Sequence, residues 1–523
     1  MKNFYFFILL SSVILLGTFN GFSQVGVQNI KICVISDMHY MDSTLLINDG
    51  PAFQMYLAQD RKLLKESHAI AVSVIDSLIA ENPDIVLITG DFTKDGEYIC
   101  HQKAADFLLK LKNANIKVFV TPGNHDINNP VSFAFDNDTV YPVPSITPIQ
   151  FKNIYNNYGY YQSIITDTAS LSYLAEPISG LQILSIDACR YDSNYIYMQP
   201  ITSGGIKPHV LQWVKDRLHE AQLSGKVVLA IQHPGMLEHY IGQKTLFTEY
   251  VIDDYDTISS QLANLGLKVI FTGHFHAQDI VKKTTSFGNT IYDVETASLV
   301  SYPCPYRILN LTTDTMLQIT GKRIEKINYN TDTMTFQQYA LYKIQIGMPA
   351  KIIYMLMSPP YNIDSVTACA VEPAITETFI AHLAGNEGTP SFQTQSIINM
   401  LKLSAYAYIG NILEGIWNDP APDDWTVTID LNAPASTNIL EVFNINNIVL
   451  FPNPSHGIFN LLLPEIKNNV KIKVFNLIGK LVYEIESKQN QNIVIDISNN
   501  PTGQYLIQLE IDNLVISKKI ILQ

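Results

Sequence analysis

Between Ile30 and about Leu311 the chain alternates short apolar runs with longer stretches whose apolar residues recur every three or four positions. The runs Lys31–Ser36, Ile85–Thr89, Ile116–Thr121, Leu181–Ile186, Val227–Ile231 and Val269–Thr272 are rich in Val and Ile and predict buried strands. Over Asp60–Ala80, residues such as Leu64, Ile70, Ala71, Val74 and Leu78 fall at helical spacing, and Asn82-Pro83 ends the helix. Tyr98–Leu111 and His209–Leu223 predict two more helices. Strands alternating with helices predict an α/β domain with largely parallel neighbours.

From about Thr312 to Pro434 that rhythm is lost. Met316–Tyr354 reads as β-rich, helical patterns follow around Ile375–Leu383 and Gln393–Leu413, and a turn-rich exit begins at Trp417. This is an accessory α+β region. From Ile448 to Gln523 short alternating segments such as Lys471-Ile-Lys-Val-Phe and Tyr505-Leu-Ile-Gln-Leu are separated by turn signals, which predicts a small all-β sandwich. The expected division is a signal peptide at 1–23, an α/β domain at 28–311, the accessory region at 312–434 and a C-terminal domain at 445–523.

A length of 523 residues fits several domains. With 34 Lys and Arg against 48 Asp and Glu the net charge is −14, so a nucleic-acid polymer is not the expected partner. Met1-Lys2-Asn3, the apolar run Phe4–Leu16 and the small residues Gly21 and Ser23 read as a signal peptide cleaved before Gln24. After cleavage no transmembrane segment is expected. Five widely spaced cysteines argue against a disulfide framework and a cysteine zinc site, and Cys33 reads as a small core residue.

Five polar motifs each sit at or just after the end of a predicted strand. They are Ser36-Asp37-Met38-His39, Gly90-Asp91-Phe92-Thr93-Lys94-Asp95-Gly96-Glu97, Gly123-Asn124-His125-Asp126, His233-Pro234-Gly235 and Gly273-His274-Phe275-His276. Ligands of open α/β sheets bind outside the carboxyl ends of the strands, so the five can converge. Carboxylate, imidazole and amide oxygen suit two divalent metal ions, Mn, Fe, Zn or Ni. Asp-x-His and His-x-His put two side chains on one side of an extended segment, and Asp91 is the candidate bridge. Each motif alone is common by chance. All five in this order are not readily explained as surface polarity.

The set resembles the calcineurin-like metallophosphoesterase superfamily over about Ile30–Leu311. The resemblance implies a β-sandwich of mixed sheets flanked by helices and a metal-dependent phosphoesterase that acts through a metal-activated hydroxide. It implies that Asp37, His39 and His276 hold one metal, that Asn124, His233 and His274 hold the other, and that Asp91 bridges them. His125 would protonate the leaving oxygen, with Asp126 nearby to orient it, a role that suits a histidine near neutral pH. The purple acid phosphatases of this superfamily carry a tyrosine where this chain has Lys94, and they lack the first-motif histidine. A tyrosinate-bound ferric iron is therefore not expected. The form of the second motif and the stretch Glu295-Thr-Ala-Ser-Leu-Val-Ser-Tyr-Pro look more like the cyclic-nucleotide phosphodiesterase branch. His68, His101, His209, His219, His239, His382 and His456 read as packed or solvated residues without a role.

The tail carries a second resemblance. Phe451-Pro-Asn-Pro, Lys473-Val-Phe-Asn-Leu-Ile-Gly-Lys, Pro501-Thr-Gly-Gln-Tyr-Leu-Ile and Lys518-Lys519 look like a type IX secretion sorting domain. That implies the type IX machinery as a partner and secretion or cell-surface display through the periplasm of a Gram-negative bacterium. A carbohydrate-binding tail is the rival, and no cluster of aromatics supports it. The expected activity is hydrolysis of a small phosphodiester or phosphomonoester. The alternative is a catalytically silent surface protein that uses the fold as a scaffold, against which stands the completeness of the ligand set.

Overall fold

The computed structural model describes residues 29–59, 62–359, 361–432, 449–462, 470–487, 492–511 and 514–523. The expected signal peptide and the expected start of the C-terminal domain at residue 445 lie outside them. The chain divides into two compact units, one ending at Ser436 and one beginning at Thr437.

The first unit is built on two mixed sheets. The strands that carry the motifs are β1 (Ile30–Ile35), β2 (Ile85–Ile88), β3 (Lys117–Val120), β4 (Val227–Ile231) and β5 (Val269–Thr272). Strands β1, β2 and β3 are mutually parallel neighbours in a six-stranded sheet, and β4 and β5 are parallel neighbours in a seven-stranded one. Pro305–Leu311 lies antiparallel to β1, so the sheets are mixed. Both faces of the central strands are buried. Leu229, Ile231, Val269 and Phe271 share one apolar core with Ile32 and Val86, whereas Ala230 and Ile270 face a second core with Val214 and Leu262. This double burial is why these strands read as unbroken apolar runs rather than as alternating ones.

The helices α1 (Ser67–Glu81), α2 (Tyr98–Asn113) and α3 (Pro208–Leu223) match the periodicity, with one difference. The pattern started α1 at Asp60, but Leu63 and Leu64 are buried from a loop in which Leu63 N–H donates to Val300 O at 2.7 Å. Asn82 ends α1 in the left-handed region at φ 48°, as Asn-Pro predicts.

The accessory region departs further from expectation. Strand structure stops at Arg323, and four helices follow: α4 (Phe336–Met357), α5 (Ser365–Leu383), α6 (Phe392–Lys402) and α7 (Ala407–Trp417). The stretch Phe336–Tyr354, expected to be β-rich, is therefore helical. Its many β-branched and aromatic residues misled, but Phe336, Ala340, Ile344, Met348, Ile352 and Leu356 are buried at helical spacing. Thr335 and Gln338 close a reciprocal capping box at its start. Burial of one face outweighs strand propensity here. Thr426–Asp430 then returns as the edge strand of the first sheet.

The second unit is all antiparallel strand. One sheet holds Val449–Phe451, Ile458–Leu462 and Asn492–Asp496, and the other holds Val470–Asn476, Leu481–Ser487, Gly503–Ile511 and Leu514–Leu522. Phe459, Leu461, Ile472, Val474, Ile495 and Ile507 form its core. Among the described residues of the whole chain, no helix is long and apolar enough to cross a membrane. All five cysteines are free thiols, four of them buried.

Candidate metal centre

The carboxyl ends of the five motif strands bring their polar residues to one place. The loop after β1 is stapled to the loop after β2, with Asp37 N–H donating to Gly90 O at 3.1 Å and His39 N–H to Asp91 O at 3.0 Å. Asp37, His39, Asp91, His274 and His276 all hold φ between 36° and 80°, a positive range uncommon outside glycine, though Asp and His enter it more readily than most. Strain of this kind persists where the surroundings over-determine it, and it clusters at functional sites. Gly90 turns at φ 98°, and a side chain on Gly123 would collide with the Asp91 carboxylate. These two glycines therefore serve different needs, a sharp turn and a close approach.

Each carboxylate has one oxygen occupied by the protein and the other turned inward. Asp37 Oδ2 accepts from Ser36 Oγ and from His274 N–H, and Oδ1 has no hydrogen bond. Asp91 Oδ1 accepts from His125 N–H at 2.9 Å. Its Oδ2 lies 3.5 Å from His39 Nε2 and 3.3 Å from His233 Nε2, between two groups of side chains. In the first group, His276 Nε2 is 3.2 Å from Asp37 Oδ1 and 3.1 Å from His39 Nε2. In the second, His233 Nε2 is 3.1 Å from Asn124 Oδ1, and the rings of His233 and His274 are 4.8 Å apart.

The ring orientations are fixed from behind. His233 Nδ1 is 2.7 Å from Thr89 O and His39 Nδ1 is 3.3 Å from Thr93 O, so protons on these nitrogens leave both Nε2 lone pairs facing the centre. The side chains of Asp37, His39, Asp91 and His233 are at most 2% exposed. Burial on its own would raise the Asp37 and Asp91 carboxyls, but the surrounding histidines hold both well below the usual range. Buried half-satisfied carboxylates and imidazole nitrogens in mutual contact form a donor set that a pair of divalent cations fits. The groups able to hold a metal include Asp37 with His39 and His276, and Asp37 with Asp91 and His233.

His125 sits beside this centre, its ring edge-on to His39 with centroids 5.1 Å apart. The resemblance implied Asp126 as the residue that orients it, and in the structure the contact to its ring is made by Asp95. Asp95 Oδ1 is 2.9 Å from His125 Nδ1, and Asp95 Oδ2 accepts from Lys94 Nζ at 2.7 Å. Lys94 is fully buried and also pairs with Glu97 at 2.7 Å. The Asp126 carboxylate instead accepts from the backbone N–H groups of Phe92 and Gly123 at 2.9 and 2.8 Å. It holds two motif loops together. Burial and the Asp91 charge raise its carboxyl to about 7. His101, read as a plain packed residue, is buried with Nε2 2.8 Å from Asp126 O and Nδ1 2.9 Å from the Tyr155 hydroxyl.

A cavity of about 240 Å³ opens over Asp91, Asn124, His125, His274 and His276. Tyr56, Lys62, Tyr250 and Lys351 also line it, and no motif pointed to them. Lys351 comes from α4, so the accessory region forms part of the cavity wall. Only a reading of α4 as a helix could have found it.

Comparison with known proteins accords with this geometry. Residues 30–278 match the calcineurin-like phosphoesterase family, and residues 449–523 match the secretion system C-terminal sorting domain. A dimetal phosphatase from Danio rerio is 13% identical, with 56% of this chain and 96% of that chain covered at a TM-score of 0.40. A purple acid phosphatase from yellow lupin seeds is 10% identical, with 60% and 53% covered at a TM-score of 0.35. An ulvan lyase of Nonlabens ulvanivorans is 28% identical over 137 residues, 26% of this chain. The match spans 24% of that relative's length. The sorting domain indicates type IX handling and a secreted or cell-surface location.

Proposed function

We propose that this protein is a secreted phosphoesterase that hydrolyses small phosphodiesters or phosphomonoesters at a dinuclear metal centre. The observation that carries the reading is the position of Asp91 Oδ2, within 3.5 Å of an imidazole from each of two ligand groups. On this reading Asp37, His39 and His276 hold one divalent ion, Asn124, His233 and His274 hold the second, and Asp91 serves both. When bound, such ions supply positive charge for a phosphoryl group and acidity for a water molecule.

The remaining roles belong to the chain's own side chains. With Nδ1 engaged by Asp95, His125 has Nε2 left to donate a proton to the departing alkoxide oxygen. Lys94 keeps Asp95 ionised and in place. Lys62 and Lys351 bring positive charge to a cavity that must accept a phosphate anion, which an acidic protein otherwise disfavours. Tyr56, Tyr250 and Phe275 offer flat apolar surface for the esterified group.

The test is a panel of monoesters and diesters offered to protein stripped of metal and reloaded with Mn, Zn or Fe. Turnover that appears on loading and vanishes with chelator is the expected result. A protein that takes up two ions yet turns over none of the panel would support a silent scaffold instead.

A further inference from the structure

A second group of acidic and imidazole side chains is buried around Asp279, the first residue of the strand Asp279–Thr284. Ligand atoms of Asp279, Asp419 and Asp424 lie within 4.8 Å of one another, and so do those of Asp279, His382 and Glu387. These residues come from separate places: a strand of the seven-stranded sheet, the last turn of α5 with the loop after it, and the turn-rich exit from α7. The turn Trp417–Asp424 read from the pattern as a plain exit, and His382 as a plain packed histidine.

The group is under-satisfied. Asp279 is 0% exposed, yet neither of its carboxylate oxygens takes a hydrogen bond. Its nearest imidazole nitrogens are His239 Nδ1 at 3.5 Å and His382 Nδ1 at 3.7 Å. Glu387 Oε1 engages His382 Nδ1 at 2.6 Å, and its buried Oε2 has no partner. Asp424 Oδ1 accepts from Ile280 N–H at 3.1 Å. The buried His239 is shared with the Asp293 and Glu295 carboxylates, 3.3 and 3.5 Å from its Nε2, and the buried Arg307 donates to backbone carbonyls: Asp424 O at 2.7 Å, Asp279 O at 3.2 Å and Glu295 O. Arg307 holds the walls together without reaching the carboxylates. Four carboxylates this close, with the side chains of Asp279 and Glu387 at most 1% exposed, repel one another unless matching counter-charge lies among them.

We propose that Asp279, Asp419 and Asp424, with Glu387 beside them, form a third cation site that takes one calcium ion and clamps the accessory helices onto the α/β fold. Carboxylate oxygens from three chain segments are hard ligands, which calcium accepts in flexible number and geometry. The site is distinct from the catalytic one. Its consequence for that site is mechanical, because Asp279 follows His276 by three residues and the ring of Phe275 packs on His382 with centroids 5.5 Å apart. The clamp would also hold α4, which carries Lys351, against the cavity.

The experiment uses the full chain, stripped of metal and dialysed against calcium chloride alone. Calcium content per chain and the thermal midpoint are followed in the wild type, Asp91→Asn, Asp419→Asn and Asp424→Asn. The wild type and Asp91→Asn should each retain one calcium and gain a few degrees in midpoint, since an ion that binds only the folded form stabilises it. Asp419→Asn and Asp424→Asn should need about tenfold or more calcium for the same rise. Asp419 is partly exposed, so its variant carries the test if Asp424→Asn fails to fold. No bound calcium and no rise in the wild type would overturn the proposal. So would a rise lost in Asp91→Asn and kept in Asp419→Asn, or a site that takes manganese but not calcium.

Discussion

Asp95 Oδ1 lies 2.9 Å from His125 Nδ1, and the Asp95 carboxylate is itself held by the buried ammonium of Lys94. A three-residue line therefore runs from the core to the edge of the metal centre. Asp95→Asn should lower turnover by about 10- to 100-fold while leaving metal content unchanged. His125→Ala should lower it by about 10²–10⁴. Because Asp95 acts through His125, the double variant should be no slower than His125→Ala alone. A double variant slowed by the product of the two single effects would show that Asp95 acts independently.

Lys351 reaches the cavity from α4. Lys351→Ala should reduce kcat/KM by about 10- to 100-fold, the scale of one hydrogen bond to a charged group. The change should fall mainly on KM. Steady-state kinetics on the best ester of the panel separates the two constants, and unchanged kcat/KM would remove Lys351 from the binding surface.

Burial pushes His101 down to about 3 from an ordinary value of 6.5. Between those values the unfolded chain binds a proton that the folded chain refuses, so this group's contribution is whole above pH 6.5 and is lost as pH falls toward 3. The slope is about 1.4 kcal/mol per pH unit across that window. Urea unfolding of the wild type and His101→Gln at several pH values should show the variant losing less stability on acidification. Parallel curves would mean that His101 is not held neutral.

The C-terminal unit has its own core and sheets. A chain lacking residues 449–523 should fold, hydrolyse model esters and fail to reach the cell surface. Fractionation of cells that express both forms checks this, and surface display of the shortened chain would show that the tail is not the sorting signal.

What was legible in sequence follows from physics that is local. The central strands β1 to β5 are buried on both faces, so their apolar runs and the polar residues that end them stand out without knowledge of the fold. Each of the seven expected ligands lies at such an end, and the structure draws them together. Two features depended on contacts far apart in sequence. The partner of His125 lies 30 residues earlier, and nothing in the spacing distinguishes Asp95 from the adjacent Asp126. In α4, β-branched and aromatic residues on both faces masked the helical period until packing chose one face. The cluster around Asp279 was hidden for the same reason, since 145 residues separate Asp279 from Asp424 in the chain.

The central claim is that Asp91 holds two ions at once and that hydrolysis depends on both. Metal content measured beside ester turnover, in the wild type and in Asp91→Asn loaded identically with manganese or zinc, tests it most directly. Two ions per chain with turnover in the wild type, and loss of both together in Asp91→Asn, is the predicted result. Asp91→Asn that kept two tightly bound ions and a wild-type rate would contradict the account.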